Sequence, residues 1–355
     1  MCWGAKPLAR KQIILREETD CATYVEMIDP IPPLPPSLRE AALRGTLIPF
    51  IGAGASRIAG CPNWAEFADR ALRYFVDQGK LSYGQLAQLI QQHPRVKLSI
   101  ALGLQRKHNL PIKFDVLLYP EGRNTNPKGR RLYEALSKLG KTFVTTNYDD
   151  WLDTTIGAPA VTVSAVSGTG TSTISQKPTI IYKVDELTPD NLERPNTVFH
   201  LHGSLRDPAG MILTTQNYVR HYANDRRADG PERENKILSF LEFLFSEKNV
   251  LFVGYGLEEL EILEYVIGKA RLLAESGKTE LRHFLLQGFF SHEEELARGL
   301  SDYYADCGIE LIPFLRDQKD WDQLMDVLEE YARVAPAGAP LNVQIFKDME
   351  ALLNG

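Results

Sequence analysis

Residues 46–56 read TLIPFIGAGAS and join a short apolar run to a turn rich in glycine. The run consists of Leu47, Ile48, Phe50 and Ile51 and is long enough for a buried strand. The turn consists of Gly52, Ala53, Gly54, Ala55 and Ser56. Its two glycines allow a sharp turn and a close approach of the backbone to a ligand. We expect Ser56 to cap a following helix whose free amides face an anion such as a pyrophosphate. The alternative is a tight turn that binds nothing, because Arg57 replaces the third glycine of the dinucleotide fingerprint.

The composition is that of an ordinary soluble protein. Of the 355 residues, 44% are hydrophobic and 24% are charged, which is enough apolar material for a full core. The net charge of −6 does not indicate a surface that binds nucleic acid directly. We expect no signal peptide, because the start MCWGAKPLARKQ lacks an apolar segment. We also expect no membrane span, because no run of about 18 apolar residues is present.

The cysteines bear on metal binding and on the redox compartment. They are Cys2, Cys21, Cys61 and Cys307, and no two of them form a CxxC pair. This spacing argues against a zinc ribbon, and so few cysteines fit a reducing compartment. We therefore expect a cytoplasmic protein with no bound metal.

The chain divides into three predicted regions. Residues 1–45 form an arm and a short helix, and the prolines between residues 30 and 36 make the arm stiff. We expect this arm to lie on the domain or on a neighbouring subunit of a homo-oligomer. Residues 46–334 form the main domain, and residues 335–355 form a tail. Residues 64–140 are patterned mainly as helix and are too long for a simple crossover, which indicates a helical insertion over the sheet.

Further strands are predicted along the main domain, at 142–146, 179–184, 197–201, 210–213, 249–253, 283–286 and 309–314. Helical patterns separate most of them. This alternation favours a parallel sheet with helices on both faces, so the predicted fold class is α/β.

Four of the predicted strands end in unusual residues. These ends are GAGAS at 52–56, TNYD at 146–149, HGS at 202–204 and GYG at 254–256. In open α/β sheets, ligands bind outside the carboxyl ends of the strands. If the sheet is parallel, the four motifs share one edge, and we expect them to form one ligand site.

Each of these motifs also has a simpler interpretation. His202 stands at a strand end before a glycine, and we favour a catalytic role for it. His200 is mid-strand on the same side and is expected to be a core histidine with satisfied hydrogen bonds. Asn147 and Asp149 could be helix caps, which is the commoner role for either residue. The glycines around Tyr255 could let a nucleotide lie on the backbone, or could form only a tight turn.

The segments GAGAS, TTNYD, HLHGS and LFVGYG, in this order and at these spacings, resemble the sirtuin-like NAD-binding fold over residues 46–315. The resemblance implies a Rossmann-type parallel sheet and a role for each motif. It assigns the pyrophosphate loop to Gly52, Ala53, Gly54 and Ser56. It assigns the loop on the nicotinamide side to Pro62 and Asn63, and the adenosine-side turn to Gly254, Tyr255 and Gly256. His202 matches the catalytic histidine of the family.

The segment TNYD stands where sirtuin deacylases carry a Gln-Asn-Ile-Asp-like motif, so the resemblance places Asn147 and Asp149 near the nicotinamide and its ribose. Thr146 replaces the usual glutamine, and the zinc ribbon of the deacylases is missing. In these departures the chain resembles the zinc-less bacterial sirtuin-like domains that hydrolyse NAD in antiphage defence. The segment GYGLEELEILEYV and the chain length resemble the subunit that is paired with a HerA-type ATPase.

The expected reaction is cleavage of the nicotinamide–ribose bond of NAD⁺ by water. Nicotinamide is a good leaving group, so the cation-like transition state needs positioning more than a strong nucleophile. His202 would take a proton, Asn147 would orient the water or the amide, and Asp149 would hold the amide or support the loop. The alternatives are an NAD-dependent protein deacylase and a nucleotide sensor or scaffold without enzymatic activity.

Overall fold

A computed structural model describes residues 28–156, 178–222, 235–256 and 283–337. The strands are β1 (Leu47–Ile51), β2 (Thr142–Thr145), β3 (Thr179–Ile181), β4 (Thr197–His200), β5 (Asn249–Val253), β6 (His283–Phe289) and β7 (Ile309–Leu315). They form one sheet in the order β3-β4-β2-β1-β5-β6-β7, and every neighbouring pair is parallel. The predicted α/β class with a parallel sheet is therefore confirmed.

Thirteen α-helices lie within the described residues: α1 (Pro36–Arg44), α2 (Ala53–Ile58), α3 (Trp64–Asp77), α4 (Tyr83–Leu89), α5 (Pro94–His108), α6 (Phe114–Leu118), α7 (Pro127–Leu136), α8 (Trp151–Thr155), α9 (Pro189–Leu192), α10 (Thr215–Tyr222), α11 (Lys236–Glu247), α12 (Glu294–Asp306) and α13 (Gln323–Val334). Short 3-10 turns occur at Val184–Glu186, Pro208–Gly210, Ser291–Glu293 and Asp320–Asp322.

The sheet is covered on both faces, because its strands are buried and alternate between two cores. On β5, Leu251 and Val253 belong to the core that also contains the buried side chains of α3 and α5. Val250 and Phe252 belong to the opposite core, built with α11 and α12. The predicted helices on both faces are thus confirmed.

The residues between β1 and β2 form six helices, of which five, α3 to α7, make up the predicted helical insertion. Helix α3 begins at a capping box in which the Asn63 side chain accepts from Glu66 N and the Glu66 carboxylate accepts from Asn63 N. Its apolar face buries Phe67, Leu72 and Phe75. This face fixes the insertion over one side of the sheet.

The predicted strand at residues 210–213 is wrong. Residues 208–210 form a 3-10 turn, and residues 211–213 belong to no strand. The reason is local, because Ile212 N donates to His202 O and returns this segment to the loop after β4. Three other predicted features, the arm before residue 28, the tail beyond residue 337 and the part of GYGLEELEILEYV beyond residue 256, lie outside the described residues.

The described part of the N-terminal arm lies on its own domain. Leu315 N donates to Asp29 O, Gln323 Nε2 donates to Pro30 O, and the Tyr331 hydroxyl donates to Pro32 O. These bonds connect the arm to β7 and α13. The arm residues from 29 to 32 are therefore docked in cis, and the expected contact with a neighbouring subunit stays a prediction.

Candidate active site

The loops after β1 and β5 meet at the point where the strand order reverses. From β1 the chain continues to β2 on one side of the sheet, whereas β5 lies on the other side. Gly52 N donates to Val253 O at 2.9 Å, and Gly54 N donates to Gly254 O at 2.8 Å. In parallel α/β sheets, such a reversal opens the crevice in which ligands bind.

The glycines of this crossing are required first by the packing of the two loops. A Cβ on Gly54 would lie 2.9 Å from Gly254 O, and a Cβ on Gly52 would lie 2.6 Å from the same atom. The sequence predicts that these glycines make room for a ligand. In the structure they make room for each other, and this contact places both loops on the same crevice.

Ser56 does not cap a helix, contrary to the sequence-based expectation. Helix α2 begins at Ala53 with Gly52 at its N-cap, so Ser56 lies within the helix and is buried. Its hydroxyl donates to Asp149 Oδ2 at 2.5 Å and accepts from Asn147 Nδ2 at 2.7 Å. Ser56 therefore ties the loop after β1 to the loop after β2.

The side-chain amide of Asn147 has one group left for a ligand. Nδ2 donates to Gly52 O at 2.9 Å and to Ser56 Oγ at 2.7 Å, which uses both of its hydrogens. Asn147 also lines the cavity described below. Its Oδ1 atom is the acceptor that this arrangement leaves to a bound molecule.

Asp149 is buried and holds the same network together. Its Oδ2 accepts from Ser56 and its Oδ1 accepts from Trp151 N at 3.2 Å. Burial raises the pKa of Asp149, and the hydrogen bond from Ser56 partly opposes this effect. Both carboxyl oxygens are thus occupied by the protein, which is the arrangement of a supporting group.

His202 is held at the end of β4 by a turn and by aromatic neighbours. Gly203 has a φ of +84°, and a Cβ there would lie 2.9 Å from Gly210 O. His202 Nε2 shares a hydrogen bond with the Tyr222 hydroxyl at 2.8 Å. The Tyr218 ring packs edge-on against His202, with 5.2 Å between the ring centroids. These contacts give the imidazole a defined orientation.

His200 is a core histidine with satisfied hydrogen bonds, as predicted. It is 1% exposed, its Nδ1 donates to Asn147 O at 2.9 Å, and its Nε2 bonds Asp153 Oδ1 at 2.8 Å. Burial alone would lower the pKa of His200, but the hydrogen bond and the charge of Asp153 raise it. Because its Nδ1 holds the Asn147 carbonyl, His200 also fixes the loop that carries Asn147.

A cavity of about 400 Å³ connects these groups. Of the residues selected from the sequence, its lining contains Ala53, Gly54, Ser56, Pro62, Thr146, Asn147, Asp149, His202, Gly254, Tyr255 and Gly256. The other two do not line it, since Gly52 is enclosed in the loop crossing and Asn63 caps α3. The structure therefore brings eleven of the thirteen selected residues to one cavity.

A comparison with known families covers part of the chain that lines this cavity. A family model described as the SIR2-like domain matches residues 141–312. This match supports a sirtuin-like domain. It extends from the residue before β2 into β7 and includes Asn147, Asp149 and His202, whereas β1 and the helical insertion precede it. SIR2-like domains use NAD and are commonly NAD-dependent enzymes. No curated protein matches the chain significantly.

The helical insertion forms part of the cavity wall, and sequence reasoning missed this contribution. Trp64, Phe67, His93, Arg95 and Leu118 of the insertion line the cavity, as do Cys61 and the tyrosines Tyr148 and Tyr218. Burial and the nearby charge of Asp149 raise the pKa of the Cys61 thiol, which favours its neutral form over the thiolate. The sequence contains one signal for the tyrosines beside His202, because Tyr218 and Tyr222 are one helical turn apart.

Within residues 28–156, 178–222, 235–256 and 283–337, no group of three or more His, Cys, Asp or Glu side chains could hold a metal ion. In the same part of the chain, no helix is long and apolar enough to cross a membrane.

Proposed function

We propose that this protein hydrolyses NAD⁺ to nicotinamide, ADP-ribose and a proton. The observation that carries the proposal is the placement of Asn147 and His202. They follow the neighbouring parallel strands β2 and β4, and both line one cavity with the glycine turns after β1 and β5. The match to a SIR2-like domain supports NAD as the substrate.

The crevice between β1 and β5 suits a phosphate group of NAD⁺. The amides of Gly52 and Gly54 are bonded to the loop after β5, whereas the amide of Ala53 makes no backbone hydrogen bond within the described residues. Ala53 is exposed to the cavity that it lines. A backbone amide at the start of a helix next to glycine residues is a suitable donor to a phosphate oxygen.

The two polar residues divide the chemistry between them. The bond from C1′ of the ribose to the nicotinamide nitrogen breaks, and its electron pair leaves with the neutral nicotinamide. Oδ1 of Asn147 accepts a hydrogen bond from the attacking water and turns a lone pair of that water towards C1′. His202 takes the proton that the water loses as the new C–O bond forms. Asp149 supports Asn147 through Ser56 and touches no reacting atom.

The biological setting that we propose is bacterial antiphage defence by NAD⁺ depletion in the cytoplasm. It is supported by the resemblance to zinc-less sirtuin-like domains and by the lack of any CxxC pair. Because free hydrolysis of NAD⁺ would be toxic, we propose that activity is controlled in a homo-oligomer or by a HerA-type ATPase partner.

The test is incubation of the purified protein with NAD⁺, with nicotinamide and ADP-ribose followed by chromatography, in the presence and absence of a HerA-type ATPase. His202→Ala and Asn147→Ala should each lower turnover by about 10²- to 10⁴-fold. Because the two residues act on one transition state, the double variant should be little worse than either single one. His292→Ala, at an exposed histidine outside the cavity, is the matched control and should leave turnover unchanged.

Three results would contradict the proposal. Turnover at the parental rate in both single variants would show that neither Asn147 nor His202 takes part in the reaction. Removal of acetyl groups from lysine peptides at the expense of NAD⁺, without hydrolysis of NAD⁺ alone, would establish the deacylase alternative. Tight binding of NAD⁺ with no turnover in any of these mixtures would favour the sensor alternative.

A further inference from the structure

Arg95 is the one lysine or arginine among the described residues that line the cavity. It belongs to the first turn of α5 in the helical insertion, outside the part of the chain that matches the SIR2-like domain. The side chain is partly buried. The helical insertion thus brings a positive charge to the cavity wall.

The guanidinium of Arg95 is held by stacking and keeps its hydrogen-bond donors. Its Cζ atom lies 3.4 Å from the centroid of the Tyr218 ring. Within the described residues, the guanidinium of Arg95 makes no hydrogen bond and no ion pair. Most of the other arginines in the helical insertion are paired or exposed. Stacking uses the face of a guanidinium and leaves its five N–H donors in the plane, a geometry that matches a phosphate.

The stacking also determines which end of the nucleotide Arg95 meets. Arg95 lies over the face of the Tyr218 ring, and the same ring packs edge-on against His202. If His202 acts at C1′ of the nicotinamide ribose, one tyrosine ring separates Arg95 from that ribose. The phosphate nearest to this position is the one on the 5′-oxygen of the same ribose.

We propose that Arg95 binds the phosphate attached to the nicotinamide ribose, so that the helical insertion takes part in recognising the substrate. The inference rests on the proposed function. It assigns different ligand groups to different parts of the chain, because the glycine crossing of β1 and β5 receives the adenosine-side phosphate and Arg95 receives the other.

The experiment measures the affinity of the full chain for four ligands by calorimetry. Nicotinamide mononucleotide carries only the phosphate assigned to Arg95, AMP carries only the other phosphate, nicotinamide riboside carries neither, and ADP-ribose carries both. In Arg95→Gln, the affinity for nicotinamide mononucleotide and ADP-ribose should fall by about 10- to 100-fold, the range for a charge-assisted hydrogen bond. The affinity for AMP and nicotinamide riboside should change by less than about twofold.

Two further variants make the result decisive. Arg106→Gln removes the same charge from the exposed last turn of α5 and should leave all four affinities unchanged. Arg95→Lys keeps the charge without the planar fork and should show an intermediate loss. Unchanged affinity of Arg95→Gln for nicotinamide mononucleotide overturns the assignment, and so does an equal loss for nicotinamide riboside. If the parent hydrolyses NAD⁺ while Arg95→Gln binds normally, only this inference fails; if the parent binds none of the four ligands, the proposed function fails with it.

Discussion

The pair of acids in Asn147-Tyr148-Asp149-Asp150 shows how far the sequence identifies individual residues. Both carboxylates follow β2, and the motif resemblance selects Asp149. The structure places Asp149 beside Ser56 at the cavity and turns Asp150 towards Tyr119 and Arg123 of the helical insertion. The direction of each of these neighbouring carboxylates depends on tertiary contacts, including contacts with residues about 30 positions earlier. A local sequence pattern carries no information on such contacts.

Tyr222 is a positioning residue for His202, because its hydroxyl shares a hydrogen bond with Nε2. Tyr222→Phe keeps the ring and removes this bond. A typical hydrogen bond contributes about 1 kcal/mol, so kcat for NAD⁺ hydrolysis should fall roughly fivefold while KM stays unchanged. Steady-state kinetics measures both values. Tyr83→Phe, at a tyrosine that is 76% exposed, is the matched control. A rise in KM with constant kcat would show that Tyr222 acts on binding instead of on His202.

His200 and Asp153 should make the stability of the domain depend on pH. The hydrogen bond to His200 lowers the pKa of Asp153 against the effect of burial, and Asp153 raises the pKa of His200 in the same way. A histidine whose pKa is raised on folding stabilises the folded state fully below its ordinary pKa of about 6.5, and this contribution disappears as pH rises through the raised value.

We therefore predict a pH-dependent effect of His200→Gln. The parent should exceed this variant in free energy of unfolding by more at pH 6 than at pH 9, as measured by urea denaturation. His108→Gln, at the end of α5, should give the same difference at both pH values. An equal difference for His200→Gln at pH 6 and pH 9 would mean that His200 is neutral in the folded protein.

At the scale of the elements, the sequence predicts strands better than the connections between them. Four apolar residues, Leu47, Ile48, Phe50 and Ile51, predict β1 correctly, although Pro49 lies among them and has no amide to donate to the ladder. In the structure Pro49 stays in register with Leu251 of β5, and its ring lies so close to Gly140 that a Cβ there would be 2.4 Å from Pro49 Cδ. The false strand at 210–213 has an apolar pattern like that of an edge strand, but its backbone bonds the loop of His202. An apolar pattern predicts that a segment is buried, but it does not identify the partner of its backbone hydrogen bonds.

The helical insertion is fixed to the domain by a buried carboxylate. Asp150 is 2% exposed and accepts hydrogen bonds from the side chains of Tyr119, Arg123 and Asn124. Arg123→Ala should lower the free energy of unfolding by about 1–2 kcal/mol, since it leaves a buried charge with fewer donors while its own side chain is half exposed. Chemical denaturation measures the loss.

The matched control for this change is Arg298→Ala. Arg298 is 53% exposed and Arg123 is 54% exposed, but the partners of Arg298 on α12 lie at the surface. An exposed pair of this kind contributes roughly 0–1 kcal/mol, so the control should lose less than half as much. Equal losses in the two variants would show that burial of Asp150 does not matter to the attachment of the insertion.

For the whole molecule, the sequence predicted the layers and the common edge of the motifs, but not the strand order. Helical patterns separate most of the predicted strands, which is sufficient to favour a parallel sheet. The strand order depends on which side of β1 each later strand joins, and this depends on contacts such as the crossing of Gly54 and Gly254. Those residues are 200 positions apart, and the sequence marks them only as glycines.

The last prediction concerns the N-terminal arm, which was expected on the domain or on a neighbouring subunit. Residues 29–32 make three hydrogen bonds to β7 and α13, and Leu34 packs against the core. Deletion of residues 1–35 should therefore lower the free energy of unfolding by about 2–4 kcal/mol, at about 1 kcal/mol for each bond together with the lost apolar burial. Deletion of residues 1–27 keeps these contacts and should leave the free energy of unfolding unchanged.

Light scattering on the same two proteins tests the homo-oligomer. Loss of mass in the shorter deletion assigns the subunit contact to residues 1–27, whereas loss only in the longer one assigns it to the docked residues. Equal stability of the two deletions would contradict the docking of the arm in cis.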